Sequence, residues 1–258
     1  MDEKAELLFT QTFWRTNTRF FELERFRRVT KQVQPQVEQI AKVESGWLAS
    51  SLASGDLDRY ITDKEGFLAV VGGKEGLIQT VTKQRTESYQ ASIDAACIIL
   101  AHSILDAAAY DYFRVVEMVA SPDDLLPFVA KRQVTLEEIR GSDYKDVARE
   151  KIQQFVSQLK RESLLEKIDR LFQACRPPAN FEPVRGHKYN RQRVLDLDNR
   201  RHEIVHGEGL KSPLLSCDDD IKYLVDTASF LLCLVHEKYQ IRVNPTLWKE
   251  WMQQQTKK

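Results

Sequence analysis

The sequence predicts an all-α protein, a helical bundle with an N-terminal helical extension. Three observations carry this reading. Glycine is scarce, with 10 in 258 residues. No alternating apolar and polar run is closed by an Asn-Gly or Asp-Gly turn, so hairpins have no signal. Apolar residues recur instead at helical spacing over most of the chain, and a hydrophobic content of 42% supplies a sizeable core.

Taken in order, Ala5 to about Val43 reads as one or two long amphipathic helices. The apolar face is Leu7, Leu8, Phe9, Phe13, Trp14, Phe20, Phe21, Leu23 and Phe26. Arg15, Arg19, Arg25, Arg27 and Arg28 lie between them, which suits a solvated face better than an RNA-stacking surface. Pro35 is expected to break or kink the helix. Ser45 to Gly73 reads as a connector, in which Phe67 to Val71 is a short strand or a buried helical turn. From Lys74 to about Val119 runs the longest helical pattern. Its middle, Ala91 to Tyr110, is apolar on most sides and rich in small residues, which makes it a central helix or a subunit contact. His102 and Asp106 stand one turn apart there, spaced for a buried polar contact with each other.

Ser121-Pro122-Asp123-Asp124 is a helix-start signal. Short helices are expected over Asp123–Arg132 and Thr135–Arg140, the second opened by a Thr135/Glu138 capping box. Ser142–Lys160 and Ser163–Cys175 form a helical pair that Arg176-Pro177-Pro178 ends sharply. A basic loop follows, with Arg185, His187, Lys188, Arg191 and Arg193 placed as candidate RNA-phosphate contacts. Arg193 to His206 is a helix, Gly207 to Ser216 a loop, and Cys217-Asp218-Asp219-Asp220 the acidic first turn of an apolar helix reaching Tyr239. The tail packs Trp248 and Trp251 from a short helix. Three regions result: an extension over 1–73, a bundle over 74–242 and a tail over 243–258.

Charge and cysteine usage narrow the class. Lys+Arg and Asp+Glu both number 38, so no global field draws the chain to nucleic acid or to an anionic membrane, and any such affinity must be local. The four cysteines, Cys97, Cys175, Cys217 and Cys233, form no Cys-x-x-Cys pair and read as reduced thiols of a cytoplasmic protein. Met1-Asp2-Glu3-Lys4 lacks a signal-peptide pattern, and the longest apolar runs, near Ala95–Leu100 and Phe230–Val235, are too short to span a bilayer. A soluble intracellular protein is expected.

Chemistry concentrates in Asp198-Asn199-Arg200-Arg201-His202-Glu203-Ile204-Val205-His206-Gly207-Glu208-Gly209. Two readings compete for it. His202-Glu203-Ile204-Val205-His206 satisfies His-Glu-x-x-His, which on a helix offers two zinc ligands one turn apart with the glutamate as general base. The third histidine of the extended pattern would fall at Ser212, His236 lies on a separate helix, and the edge strand of such hydrolases has no counterpart. Arg-x4-His is the other reading, with Arg201 and His206 as anchors and a glycine directly after.

In that second form the chain resembles the HEPN superfamily, all-helical ribonucleases and toxins marked by an arginine, a polar residue directly after it, and a histidine a few positions on. The matching residues are Arg201, His202 in the polar slot and His206, and the resemblance covers roughly Lys74 to Arg242. It implies a metal-independent endoribonuclease, needing no cofactor, acting as a two-fold homodimer on RNA. Arg201 and His206 would be catalytic; Asn199, His202 and Glu203 would support them, with Arg200 as an alternative anchor at Arg-x5-His spacing. It also implies toxin or antiphage-defence roles with an antitoxin or regulatory partner, and inactive relatives that only bind RNA or protein. On an ideal helix Arg201 and His206 point about 140° apart, so a compact site needs the helix end to unwind or a second copy to supply the other half.

Overall fold

A computed structural model describes residues 2–55, 63–121, 124–125, 128, 144–206 and 217–255. Among them every regular element is a helix: α1 (Glu3–Ser54), α2 (Lys64–Val71), α3 (Gly73–Val119), α4 (Tyr144–Leu159), α5 (Leu164–Cys175), α6 (Arg191–His206), α7 (Cys217–Tyr239) and α8 (Pro245–Gln255). The all-α class is therefore correct. The expected helices at 123–132 and 135–140, with their capping box, and the loop at 207–216 lie outside the described residues apart from a few positions.

Two compact units emerge, and they do not follow the boundary expected near residue 73. Residues 1–21 and 98–258 form the larger unit and residues 22–97 the smaller. The reason is helix length, because α1 and α3 each run through both units without a break. Pro35 does not end α1. A proline inside a helix costs about 3 kcal/mol through one lost hydrogen bond and a ring clash.

In the larger unit, the second half of α3 is the centre. Cys97 at the boundary is followed by Ile98, Ala101, Leu105, Ala108, Ala109, Tyr112, Phe113, Val115 and Val116, all buried. Their small members let neighbouring helices approach closely. Phe113 meets Phe155 of α4 at 5.8 Å, edge to face, and Phe9 of α1 meets Tyr112 at the same separation. By length and composition α3 is long and apolar enough to cross a membrane, and 39% of its most apolar window is buried inside the protein.

α5 is short and strongly one-sided, burying Leu164, Leu165, Ile168 and Leu171, and it packs on both α6 and α7. Its start is fixed by a capping box: Ser163 Oγ accepts from Glu166 N, and Glu166 Oε2 accepts from Ser163 N at 2.8 Å. Phe172 stacks on Phe230 of α7 at 5.6 Å. The tail behaves as the indoles suggest, with Trp248 stacked on Trp14 and on Trp251. Asn244 N donates to Thr10 Oγ1, tying the start of α8 to α1.

In the smaller unit, α1 and α3 lie side by side and are joined through α2. Asp63 caps α2 by accepting from Gly66 N, and Gly72 ends it in the left-handed region at φ +79°. The segment expected to be a connector is thus mostly helical, and Phe67 to Val71 is helix, not strand. Its core is small: Ala49, Leu52 and Leu77, with Leu68, Val71, Ile78 and Val81 packed against them.

Candidate functional site

α6 carries the Arg/His stretch, and its local sequence explains its placement. Asn190 caps the helix, accepting from Arg193 N at 3.2 Å. Tyr223 of α7 holds that cap from outside, accepting from Asn190 N at 2.9 Å and donating to Asn190 O at 3.0 Å. Val194 and Leu197 are the two buried apolar anchors. The helix continues to His206, as expected, and the predicted stop at Gly207 lies outside the described residues.

Three flanks of α6 have different fates. On the first, Asp198 Oδ1 sits 3.0 Å from His102 Nε2 of α3. Arg201 Nε donates to the same Asp198 oxygen at 3.3 Å. The His102 ring, then the Arg201 guanidinium, hold the Asp198 carboxyl below the usual carboxylate range against the opposing effect of burial. His102 therefore does not use Asp106, as the spacing suggests it should. Asp106 instead receives the Lys167 ammonium of α5 on both oxygens, at 2.7 and 2.8 Å.

The second flank turns Arg200 and Arg193, seven residues apart and so on one face, toward the acidic first turn of α7. Arg200 Nη1 donates to Asp220 Oδ2 at 2.6 Å, and Arg193 donates to the Asp219 carbonyl at 3.3 Å while lying 4.3 Å over the Tyr223 ring. Burial raises the Asp220 pKa; Arg200 and Arg193 oppose this. The Arg200 side chain is only 14% exposed, with Nε and Nη2 buried and unpartnered. It stands as a structural ion-pair member and is not offered to solvent as an alternative anchor.

The third flank is open. Asn199, His202 and His206 are exposed and Glu203 is half-buried. The rings of His202 and His206 touch, their centroids 4.1 Å apart. Arg201 stands between flanks, with 36% of its side chain exposed. Arg201 and His206 thus face different surroundings within one chain: the guanidinium is drawn toward Asp198, and the imidazole pairs with His202.

The basic loop is not one free patch. His187 is buried, with Nε2 3.4 Å from Thr227 Oγ1 and its ring against Tyr223. Burial lowers its pKa, which favours the neutral ring. Arg191 is held by both Asp169 oxygens, Lys188 lies 3.6 Å from Glu182, and Arg193 is engaged as above; Arg185 is exposed. His187, Lys188 and Arg193 line an open cleft of about 560 Å³ with Asp219, Lys222 and Asp226, and its charges are balanced. Neither Arg201 nor His206 borders it. Asp198 and Asp220, which organise both arginines, escaped the reading of the motif; an acid three residues before Arg201 was the available signal for the first. For the zinc reading, no three His, Cys, Asp or Glu side chains come together among the described residues.

No family model, curated protein or solved structure matches this chain.

Proposed function

We propose that the protein is a metal-independent endoribonuclease of the HEPN type, with Arg201 and His206 as its catalytic residues. The observation that carries this reading is the contacting, solvent-exposed pair His202/His206 at the end of α6, next in sequence to an arginine whose guanidinium is steadied by Asp198. Two imidazoles in contact offer a proton acceptor and a proton donor within reach of one ligand. In the proposed reaction the ribose 2′-oxygen attacks the adjacent phosphorus as His206 takes its proton. The bond to the 5′-oxygen breaks, that oxygen is protonated by the conjugate acid, and a 2′,3′-cyclic phosphate remains. Arg201 neutralises charge growing on the phosphorane oxygens.

Because Arg201 and His206 diverge on one helix, a homodimer in which a second α6 completes the site is part of the proposal. Asn199, His202 and Glu203 support the phosphate or the ring, and Arg185 and Lys188 are the loop cations best exposed for more distant phosphates. Cytoplasmic action as a toxin or antiphage effector, with an antitoxin or regulatory partner, belongs to the same proposal. The internal pairing of Arg191 and Arg193 favours a second reading, a non-catalytic module of this kind that binds RNA or protein.

The test is incubation of labelled RNA with purified protein in EDTA and analysis of product ends. Cyclic phosphate and 5′-hydroxyl ends support the nuclease. RNA retention without cleavage selects the binding module, and activity that returns only with zinc selects the hydrolase.

A further inference from the structure

Along α1 the smaller unit exposes a row of large apolar side chains. Along α1, Phe26, Val33, Ile40 and Trp47 fall at strict seven-residue intervals, and Val29 and Val43 stand three residues after the first and third. These are the a positions of a coiled-coil seam over three heptads with two of its three d positions, Gln36 taking the third. All six are exposed, from 41% at Val33 to 69% at Trp47. The opposite side of the same stretch, which is covered, is the poorer in apolar bulk. Its buried positions are Ala41, Ser45 and Ala49, and Arg27, Thr30 and Gln34 are half-buried. Ser45 and Thr82 meet through their hydroxyls there, and Glu44 pairs with Arg85.

A seven-residue period adds a second argument. On a straight helix such a stripe drifts about 20° per heptad, and only supercoiling around another helix keeps it in one seam. Its extent decides whether a partner can hold. With about 150–250 Å² for each large side chain when free, the six exposures amount to on the order of 600 Å² of apolar surface. That is the upper end of what a monomer leaves uncovered, about 300–600 Å². Two copies face to face would bury about 1,200 Å² from these side chains alone, the threshold of a stable interface.

Charge sets the direction. Around Phe26 to Val33 the cations Arg25, Arg27, Arg28 and Lys31 outnumber Glu22 and Glu24. Around Ile40 to Trp47, Glu38 and Glu44 outnumber Lys42, Glu44 being shared with Arg85 of the same chain. A parallel pair would set like against like, and an antiparallel pair sets the basic half of one copy beside the acidic half of the other.

We infer that the exposed heptad stripe of α1 binds a second copy of this chain, antiparallel, about a two-fold axis passing near Gln36. The contact lies wholly within residues 26–47 and stands apart from the dimer invoked for the nuclease.

The test uses the full-length chain in sedimentation velocity over a wide concentration series. The wild type is expected to self-associate, and Ile40→Glu, on an exposed site, to weaken association about thirty-fold or more, the scale of a central interface residue, with far-UV helicity unchanged. Single cysteines then read direction. In the antiparallel dimer Gln36→Cys forms an intermolecular disulfide under mild oxidation. Phe26→Cys and Trp47→Cys do not, because like ends lie about 30 Å apart, beyond a disulfide's reach of about 7 Å. Disulfides at all three positions would overturn the antiparallel arrangement. A wild type that stays monomeric throughout, or an Ile40→Glu variant that associates undiminished, would overturn the interface. RNA cleavage by Ile40→Glu separates the proposals: a cleaving wild type that never pairs through the stripe defeats only this inference, and a stripe dimer without cleavage defeats only the nuclease.

Discussion

The two units solve the same problem, helices packed side by side, in opposite ways. The larger unit puts its bulk inside: Tyr112, Phe113, Leu164, Ile168 and Leu231 are buried, and its charged groups are tied in pairs such as Lys167–Asp106 and Arg200–Asp220. The smaller unit has a core of a few leucines, alanines and a serine, and along α1 it turns Phe26, Ile40 and Trp47 outward. The difference teaches that stability and association have been assigned to different stretches of the same two long helices. A unit that spends its large side chains internally can hold a reactive surface still, whereas one that exposes them is suited to meeting another chain.

Four substitutions or titrations break or sharpen this contrast. Phe113→Ala should have the largest effect, because it empties a ring packed against Phe155 in the larger core; a loss of about 3–5 kcal/mol in denaturant unfolding is expected. Asp220→Ala removes the carboxylate that accepts from the mostly buried Arg200 guanidinium. Leaving Arg200 uncompensated should cost about 3 kcal/mol, measured the same way, while Asp220→Ala leaves the His202/His206 flank in place.

The third concerns pH. The His187 pKa is lowered in the fold, so the unfolded chain binds the proton more readily. Its contribution is fully present above the ordinary histidine value of 6.5 and is lost as pH falls from there through the lowered folded value. In thermal melts the wild type should therefore lose stability relative to His187→Phe as the solution is acidified below 6.5. A wild type whose stability does not fall relative to the variant on acidification would contradict a buried His187. The smallest effect is expected at Ile40→Glu, whose side chain is already exposed: monomer stability should change within about 0.5 kcal/mol, in contrast to its effect on association.

Helix positions were legible in the sequence wherever one apolar stripe met one core. The pattern over 74–119 and the pair ending at Arg176-Pro177 emerged nearly at their observed bounds, because spacing and prolines are local signals. α1 was legible as a helix but not in its orientation. It carries large side chains on more than one side, and periodicity alone does not say which faces inward; Phe21 and Phe26, expected in the core, are 65% and 42% exposed. Pro35 does not break α1, which runs on to Ser54.

The site was half legible. The string Arg201-His202-Glu203-Ile204-Val205-His206 and its helix were apparent, whereas its partners come from elsewhere in the chain. His102 lies 96 positions before Asp198, and Asp220 lies 20 after Arg200. The basic loop illustrates the same limit, because a run of cations in sequence does not reveal that His187 is buried or that Arg191 is already clasped by Asp169.

The central claim is that the open flank of α6 does chemistry while the flanks facing α3 and α7 hold it in place. Single-turnover RNA cleavage in EDTA by wild type, Arg201→Ala and His206→Ala tests it most directly. The account predicts a measurable wild-type rate and a fall of about 10² to 10⁴-fold in each variant, with folding unchanged. Cleavage that survives both substitutions at the wild-type rate would contradict it.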